Sequence, residues 1–430
     1  MRFAASLRSS LAAKVAAFAL GLTLFYYFDN AAVRLQDQSY APAIVADAVG
    51  PISAFAYAVA GALAAWESGR LKHAKINESA PVRSRYLIGF NAILPVLMLC
   101  WLMLLLPVAI AFAEAAVMPT PDSMRPLAQQ VILCFLHAII GYVVGSYLPR
   151  LIAVPLLALS IYAFVAFSVS MESYWVRHVS GNYYEPLMFG ELASFSALYP
   201  PLLFFGSVAG AAMLVRSGFG PSMVRAALAM TIAIAGMYGA RCVVQDRGPS
   251  LPVVSHTEPD ECFGHAPKIC APVAFDVDLQ SVRDQAVSVI GQLNAVGVNV
   301  SPKLITDRTA YGRYQKPSDN ETWRTDIVVG LSDDSLRFRL MSSALRFPCE
   351  APDPIVRRAV LLWAAENTHE RRAFDNQLGR DLHVLYSEQQ KDERVVDDIE
   401  AIARTGLDLP KEDQGRWYRQ TARQACEVGA

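Results

Sequence analysis

Seven long apolar runs separated by short polar segments fill the chain up to about residue 240, after which apolar positions recur at amphipathic spacing. About 20 apolar residues suffice to cross a hydrocarbon core. The runs near 12–28, 46–66, 87–113, 127–148, 151–170, 197–215 and 226–240 therefore predict seven membrane spans. Pro155, Pro200, Pro201 and Gly236 interrupt or border the last three, whose limits are the least sharply drawn. The first run follows Arg2, Arg8 and Lys14, as the core of a signal peptide would. However, Phe25-Tyr26-Tyr27-Phe28 stands where a cleavage site needs small residues, and such aromatics suit a membrane interface.

Beyond the last run the period changes. Leu279, Val282, Ala286, Val289, Ile290, Leu293 and Val296 recur at steps of mostly three and four and predict a helix stopped at Gly297. Val298 to Ile305 and Thr325 to Leu331 read as short strands, the second centred on Asp326-Ile327-Val328-Val329-Gly330. Ser335 to Phe347, Pro354 to Glu366, Arg394 to Arg404 and Lys411 to Cys426 read as helices, with Pro354 and Pro410 marking helix starts. The expected fold is an α-helical multi-pass membrane bundle of about seven spans over residues 1–242. A linker follows over 243–260, and then an extracytoplasmic α+β domain over 261–430.

Composition agrees with two regions in two solvents. Of the 430 residues, 53% are hydrophobic and 18% charged, and the charge is concentrated after about residue 240. With the N-terminus inside, the inner segments hold eleven basic residues: Arg2, Arg8, Lys14, Arg70, Lys72, Lys75, Arg83, Arg85, Arg150, Arg216 and Arg225. The outer loops before the tail hold Arg34, Arg125 and Arg177, with Arg241 a fourth if the edge of the last span is counted. That bias fits the positive-inside rule and places the tail outside the cytoplasm of a cell-membrane protein.

Cysteines point the same way. Cys100 and Cys134 lie within apolar spans, whereas Cys242, Cys262, Cys270, Cys349 and Cys426 belong to the tail and its membrane edge, an oxidising setting on this topology. The preferred pairing is Cys262 with Cys270 and Cys349 with Cys426, leaving Cys242 over; spacing alone leaves other connectivities open. His256 and His265 near the first pair lack the close Cys-x-x-Cys spacing of a zinc site, so no metal is expected. His369-Glu370 lacks the second His of a metalloprotease helix, and no G-x-S-x-G elbow occurs. Asp333-Asp334 and Asp397-Asp398 read as solvated helix ends or faces. No catalytic residue, cofactor or nucleic-acid partner is expected, and the chain is not expected to be an enzyme.

Within the spans, ionisable groups are few. His137 is the clearest intramembrane polar candidate, with Asp47 near a span end; a single interhelical hydrogen bond is its favoured role. This poverty of buried charge argues against an ion pump. Gly141-x-x-x-Gly145 and Gly206-x-x-x-Gly210 are patterns that let helices approach closely, within the bundle or across an oligomer face. No Walker A sequence is present, so ATP-driven work would need a separate ATP-binding subunit.

The loop after the second span contains Trp66-Glu67-Ser68-Gly69-Arg70, a helix-compatible continuation to Ile76, and then Pro81, Arg83 and Arg85. Here the sequence resembles a divergent branch of the ABC-2-type exporter permeases, in which such a run leads into a coupling helix that docks on an ATPase. The resemblance implies that role for Trp66, Glu67, Arg70, Lys72, Lys75, Arg83 and Arg85. The tail is similar to an outer domain appended in some such proteins, on Cys262, Pro267, Cys270, Leu409, Pro410, Gln414 and Trp417. A seventh span departs from the usual six. The expectation is a permease-like subunit of an ATP-driven exporter with an outer domain for substrate or partner recognition; the alternative is a membrane-anchored extracytoplasmic sensor or interaction protein without transport activity. The implied partners are the bilayer, the ATPase, and homo- or hetero-oligomeric neighbours.

Overall fold

The structure is a computed structural model describing residues 10–29, 40–74, 84–217, 221–255, 260–308, 313, 316–332, 334–385 and 389–427. Lys75, Arg83, His256 and Asp333 lie outside the described residues, and for Arg85 only the backbone is described. The chain divides into two compact units, Met1–His256 and Thr257–Ala430.

The first unit contains α1 (Leu11–Asp29), α2 (Ala41–Val49), a 3-10 turn at Gly50–Ile52, α3 (Ser53–His73), α4 (Arg85–Ala115), α5 (Arg125–Tyr147), α6 (Arg150–Ala166), α7 (Tyr174–Val179), α8 (Phe195–Arg216) and α9 (Ser222–Val244). Seven of its helical stretches are long and apolar enough to cross a membrane, counting Ala41–His73 as one. Helices apolar on every side suit a solvent that offers no hydrogen bonds, because the helix satisfies its own backbone. Prolines need local repair. Pro200 removes the amide that Ser196 O would accept, and Arg247 Nη1 donates to that carbonyl at 2.9 Å.

Small residues set the closest seams. A Cβ added to Gly141 would lie 2.1 Å from Gly61 O, and one on Gly145 2.3 Å from Ala65 O, so the first of the two glycine patterns brings α5 against the backbone of α3. The second pattern does not act this way: nothing lies within 4 Å of a Cβ on Gly206 or Gly210. Its neighbour Ser207 instead meets α9 at Gly236, where an added Cβ would be 2.1 Å from the serine Cβ.

Part of the expected linker is built structure. After α9 ends at Val244, Leu251 is buried and its amide donates to Glu185 Oε2 at 3.1 Å. Strand β1 (Glu191–Ala193) then pairs antiparallel with β2 (Val253–Ser255). Segment 243–255 therefore packs on the first unit, and the division between the units falls at 256 and 257.

The second unit is α+β. Its sheet has the order β3 (Asp260–Phe263), β4 (Lys268–Pro272), β5 (Leu304–Asp307), β6 (Thr322–Thr325); the first pair is antiparallel and the other two are parallel. Helix α10 (Leu279–Ala295) connects β4 to β5. Its apolar stripe of Leu279, Val282, Ala286, Val289 and Leu293 is buried, and Asp278 caps its start through Gln280 N and Ser281 N at 3.1 Å. Next come α11 (Ile327–Ser332), α12 (Leu336–Ala344), α13 (Pro354–Thr368), α14 (Arg371–Leu385), α15 (Gln389–Leu407) and α16 (Lys411–Glu427).

Two expectations are corrected here. The run Asp326 to Gly330 is not a strand: β6 stops at Thr325 and α11 begins at Ile327. Buried Asp307 accepts from Val328 N at 2.9 Å, and Gly330 N bonds Asp326 O, so a side-chain cap overrides the strand preference of Ile-Val-Val. Likewise only Leu304 and Ile305 of the expected strand 298–305 pair in the sheet.

Candidate functional site

At one end of the first unit the segment Trp66–Arg70 forms the last turns of α3 before its stop at His73. Glu67 is fully buried there. Its Oε1 accepts from Ser10 Oγ at 3.0 Å and Leu11 N at 2.9 Å, and Arg70 pairs with Oε2 at 2.7 Å. An anion at a helix N-terminus meets unpaired amides and the positive end of the helix dipole, so Glu67 pins α1 onto α3. Trp66 lies under the Arg150 guanidinium, 4.9 Å from ring centroid to carbon, and a Cβ on Gly69 would sit 3.1 Å from Arg150 Cβ. Of the residues implied in docking, Trp66, Glu67 and Arg70 therefore hold α1, α3 and α6 together, and Glu67 is removed from any outward surface. Lys72 is exposed, beside exposed His73.

The ends of the bundle differ in charge. Among the described residues Lys14, Arg70, Lys72, Arg85, Arg150, Arg216 and Arg225 fall at the end where α1 begins, together with buried Glu67. The opposite end carries Asp29, Glu114, Asp122, Glu172, Glu185, Glu191 and Asp246 alongside Arg125, Arg177, Arg241 and Arg247.

His137 occupies the core of α5 and is buried. Its Nδ1 lies 2.8 Å from Leu133 O on the same helix, which corrects the expectation of an interhelical bond. The ring stacks on Tyr57 of α3 at 4.9 Å and 3°, and packs against Phe205 of α8 at 4.3 Å. Among the described residues Nε2 has no hydrogen-bond partner, and neither has either polar side-chain atom of buried Gln130, seven residues earlier on α5. Tyr57 Oη donates to Gly181 O at 3.0 Å, and Ser53 Oγ lies 3.0 Å from Asn182 Oδ1. A polar column thus runs inside the acidic half of the bundle, closed by the segment around Gly181. A Cβ on Gly50 would approach Tyr183 O to 2.9 Å, which shows how tightly that segment sits on the α2–α3 corner. The paired Gln129-Gln130 in an apolar span was the sequence signal for this column.

The same closing segment is tied down by His178. Its Nε2 donates to Gly248 O at 2.9 Å, while the buried Nδ1 has no hydrogen-bond partner among the described residues. Burial holds this imidazole below the usual histidine range, reinforced by Arg247 and Arg177 and opposed by the Gly248 bond and Glu185.

The chain matches no family model, no curated protein and no solved structure.

In the second unit both preferred cysteine pairs are bonded. Cys262 and Cys270 face each other across β3 and β4 with Cα atoms 4.2 Å apart. Cys349 and Cys426 join the loop before α13 to the end of α16, at 5.8 Å. Cys242 is free and exposed, and Cys100 and Cys134 are free and buried. His265 is exposed. Among the described residues no group of three or more His, Cys, Asp or Glu side chains is placed to hold a metal.

The closing run of the tail has a packing role. Gln414 Oε1 accepts from Trp363 Nε1 and Asn367 Nδ2, both at 3.0 Å, and its Nε2 donates to Leu409 O at 3.0 Å. Trp417 Nε1 donates to Thr405 Oγ1. These bonds fix the corner at Pro410 between α15 and α16 around the buried indole of Trp363.

Proposed function

We propose that the chain is an integral membrane protein whose basic end lies in the cytoplasm and whose second unit is an extracytoplasmic recognition domain. The observation that carries this reading is the agreement of two independent features: the separation of basic and acidic residues between the two ends of the first unit, and two disulfides confined to the second. With seven spans, one orientation satisfies both. The bundle's role on this reading is to anchor the domain: its helices close on one another through backbone-to-glycine seams, and residues around Gly181 close the acidic end. The test is crosslinking in cells from exposed positions of the second unit, such as Lys303. Capture of a defined extracytoplasmic partner or substrate supports recognition; a bare domain under all growth conditions refutes it.

A second reading, a permease-like subunit of an ATP-driven exporter, is favoured by one feature. Ala41–His73 is longer than a crossing needs and ends in exposed Lys72 and His73, a handle that a cytoplasmic ATPase could grip. Because Arg70 is paired with Glu67, Lys72→Glu is the clean probe. Co-purification of an ATPase that this change weakens supports the exporter, and its absence from purified full-length protein rejects it.

A further inference from the structure

Between α4, α5 and α8, near the basic end, lies an apolar cleft of about 80 Å³. Tyr86 and Phe90 form its exposed rim, Ile139 and Met213 its walls, and Tyr142 and Arg216 its polar corner. Arg216 is the last residue of α8, and its guanidinium carbon stands 5.1 Å from the centroid of the Tyr142 ring. The ring is held from behind by α4, since a Cβ on Gly89 would lie 3.1 Å from it. Among the described residues Arg216 has no carboxylate partner, unlike Arg70 and Arg125, which pair with Glu67 and Asp122. An unneutralised guanidinium at the end of a span, beside an apolar slot opening sideways from the bundle, joins two chemistries that one kind of molecule satisfies.

We propose that this cleft binds one anionic glycerophospholipid, with an acyl chain along Ile139 and Met213 and the phosphate on Arg216. Arginine offers a planar fork of donors suited to a phosphate, and stacking on Tyr142 orients that fork. A free phosphate would use the arginine and leave the apolar slot unfilled, so the lipid is the occupant that accounts for both halves. The proposal rests on the bundle lying in a bilayer, and on neither its orientation nor the role of the second unit.

The experiment uses full-length protein in a neutral detergent, titrated with phosphatidylglycerol, phosphatidylcholine or inorganic phosphate. Thermal stability and native mass spectrometry are the readouts. Phosphatidylglycerol is expected to raise the melting temperature and to remain bound as a single adduct, with the other two inactive. Arg216→Gln removes a charge-assisted contact and should weaken binding about tenfold, the equivalent of about 1.4 kcal/mol. Ile139→Trp fills the slot while leaving Arg216 in place and should abolish the adduct, which keeps the test intact if the arginine variant fails to accumulate. Unchanged phosphatidylglycerol binding in Ile139→Trp or in folded Arg216→Gln overturns the proposal, as does an equal effect from phosphatidylcholine or phosphate. Protein that stays monodisperse in buffer without detergent would instead refute the membrane reading beneath it.

Discussion

The two units of this chain achieve cohesion by different means. In the first, the closest contacts are made at glycines: Gly141 on the backbone of Gly61, Gly145 on that of Ala65, and Gly236 on the Ser207 side chain. The second packs around Trp363 and Trp323, both fully buried, and adds covalent ties and helix caps: two disulfides, with Asp278 and Asp353 capping helices. The difference follows from the solvent. Burying a leucine gains little when the alternative environment is lipid, so close packing must supply the attraction. In water, apolar area removed from solvent is itself the driving force.

The comparison can be broken most forcefully at Cys349–Cys426, which closes a loop with a sequence separation of 77. Replacing both cysteines by serine should cost the second unit about 4 kcal/mol by the loop-entropy argument. Denaturant unfolding should show that loss in the second unit, with the first unaffected. A common shift of both units would contradict their separate cohesion.

Next in size is Gly141→Val. It forces side-chain atoms into the carbonyl of Gly61, and overpacking of this kind costs about 1–3 kcal/mol or more. The loss should appear as a lower melting temperature in detergent. Gly206→Val, which meets open space at its Cβ, should leave that temperature nearly unchanged.

Glu67→Ala leaves Leu11 N and Ser10 without this acceptor and removes the Glu67–Arg70 ion pair. We expect a loss of about 2 kcal/mol, discounted because Arg70 is 36% exposed. Increased proteolysis ahead of α1 is the readout. The Asp353→Ala change in the other unit removes a cap to Ile355 N and Val356 N and should cost about 1 kcal/mol.

The smallest effect is that of pH at His178. Its folded-state pKa is depressed, so its contribution is complete above the ordinary histidine range and is lost as pH falls through the lower folded value. Amide protection over 245–255, taken relative to the intrinsic exchange rate at each pH, should fall on acidification, and His178→Gln should flatten that dependence.

The spans were legible because an apolar run needs no periodicity to be read, and α10 because its stripe repeats at helical spacing. Helix α14 was not legible. It is charge-rich, and its start is held by Arg371, which bonds Glu366, Asp375 and, across sequence, Glu400. The Arg371 bond holds the Glu400 carboxyl below its usual range. The closing segment around Gly181 was equally hidden, because Ser53 and Tyr57 of α3 meet Asn182 and Gly181, far later in the sequence, only once that segment packs on α3. The basic end was visible as charge, yet its local pairing decides which residues face outward: Glu67 reads as a surface acid in sequence and is a buried clamp in the fold.

On the proposed topology the basic end lies in the cytoplasm and the second unit outside it. The direct measurement is labelling of intact cells with a membrane-impermeant maleimide, in a Cys242→Ser background, at Lys72→Cys and separately at exposed Lys303→Cys. Labelling at 303 without permeabilisation, and at 72 only after it, is the predicted result. Labelling at 72 in intact cells with 303 protected would contradict the account.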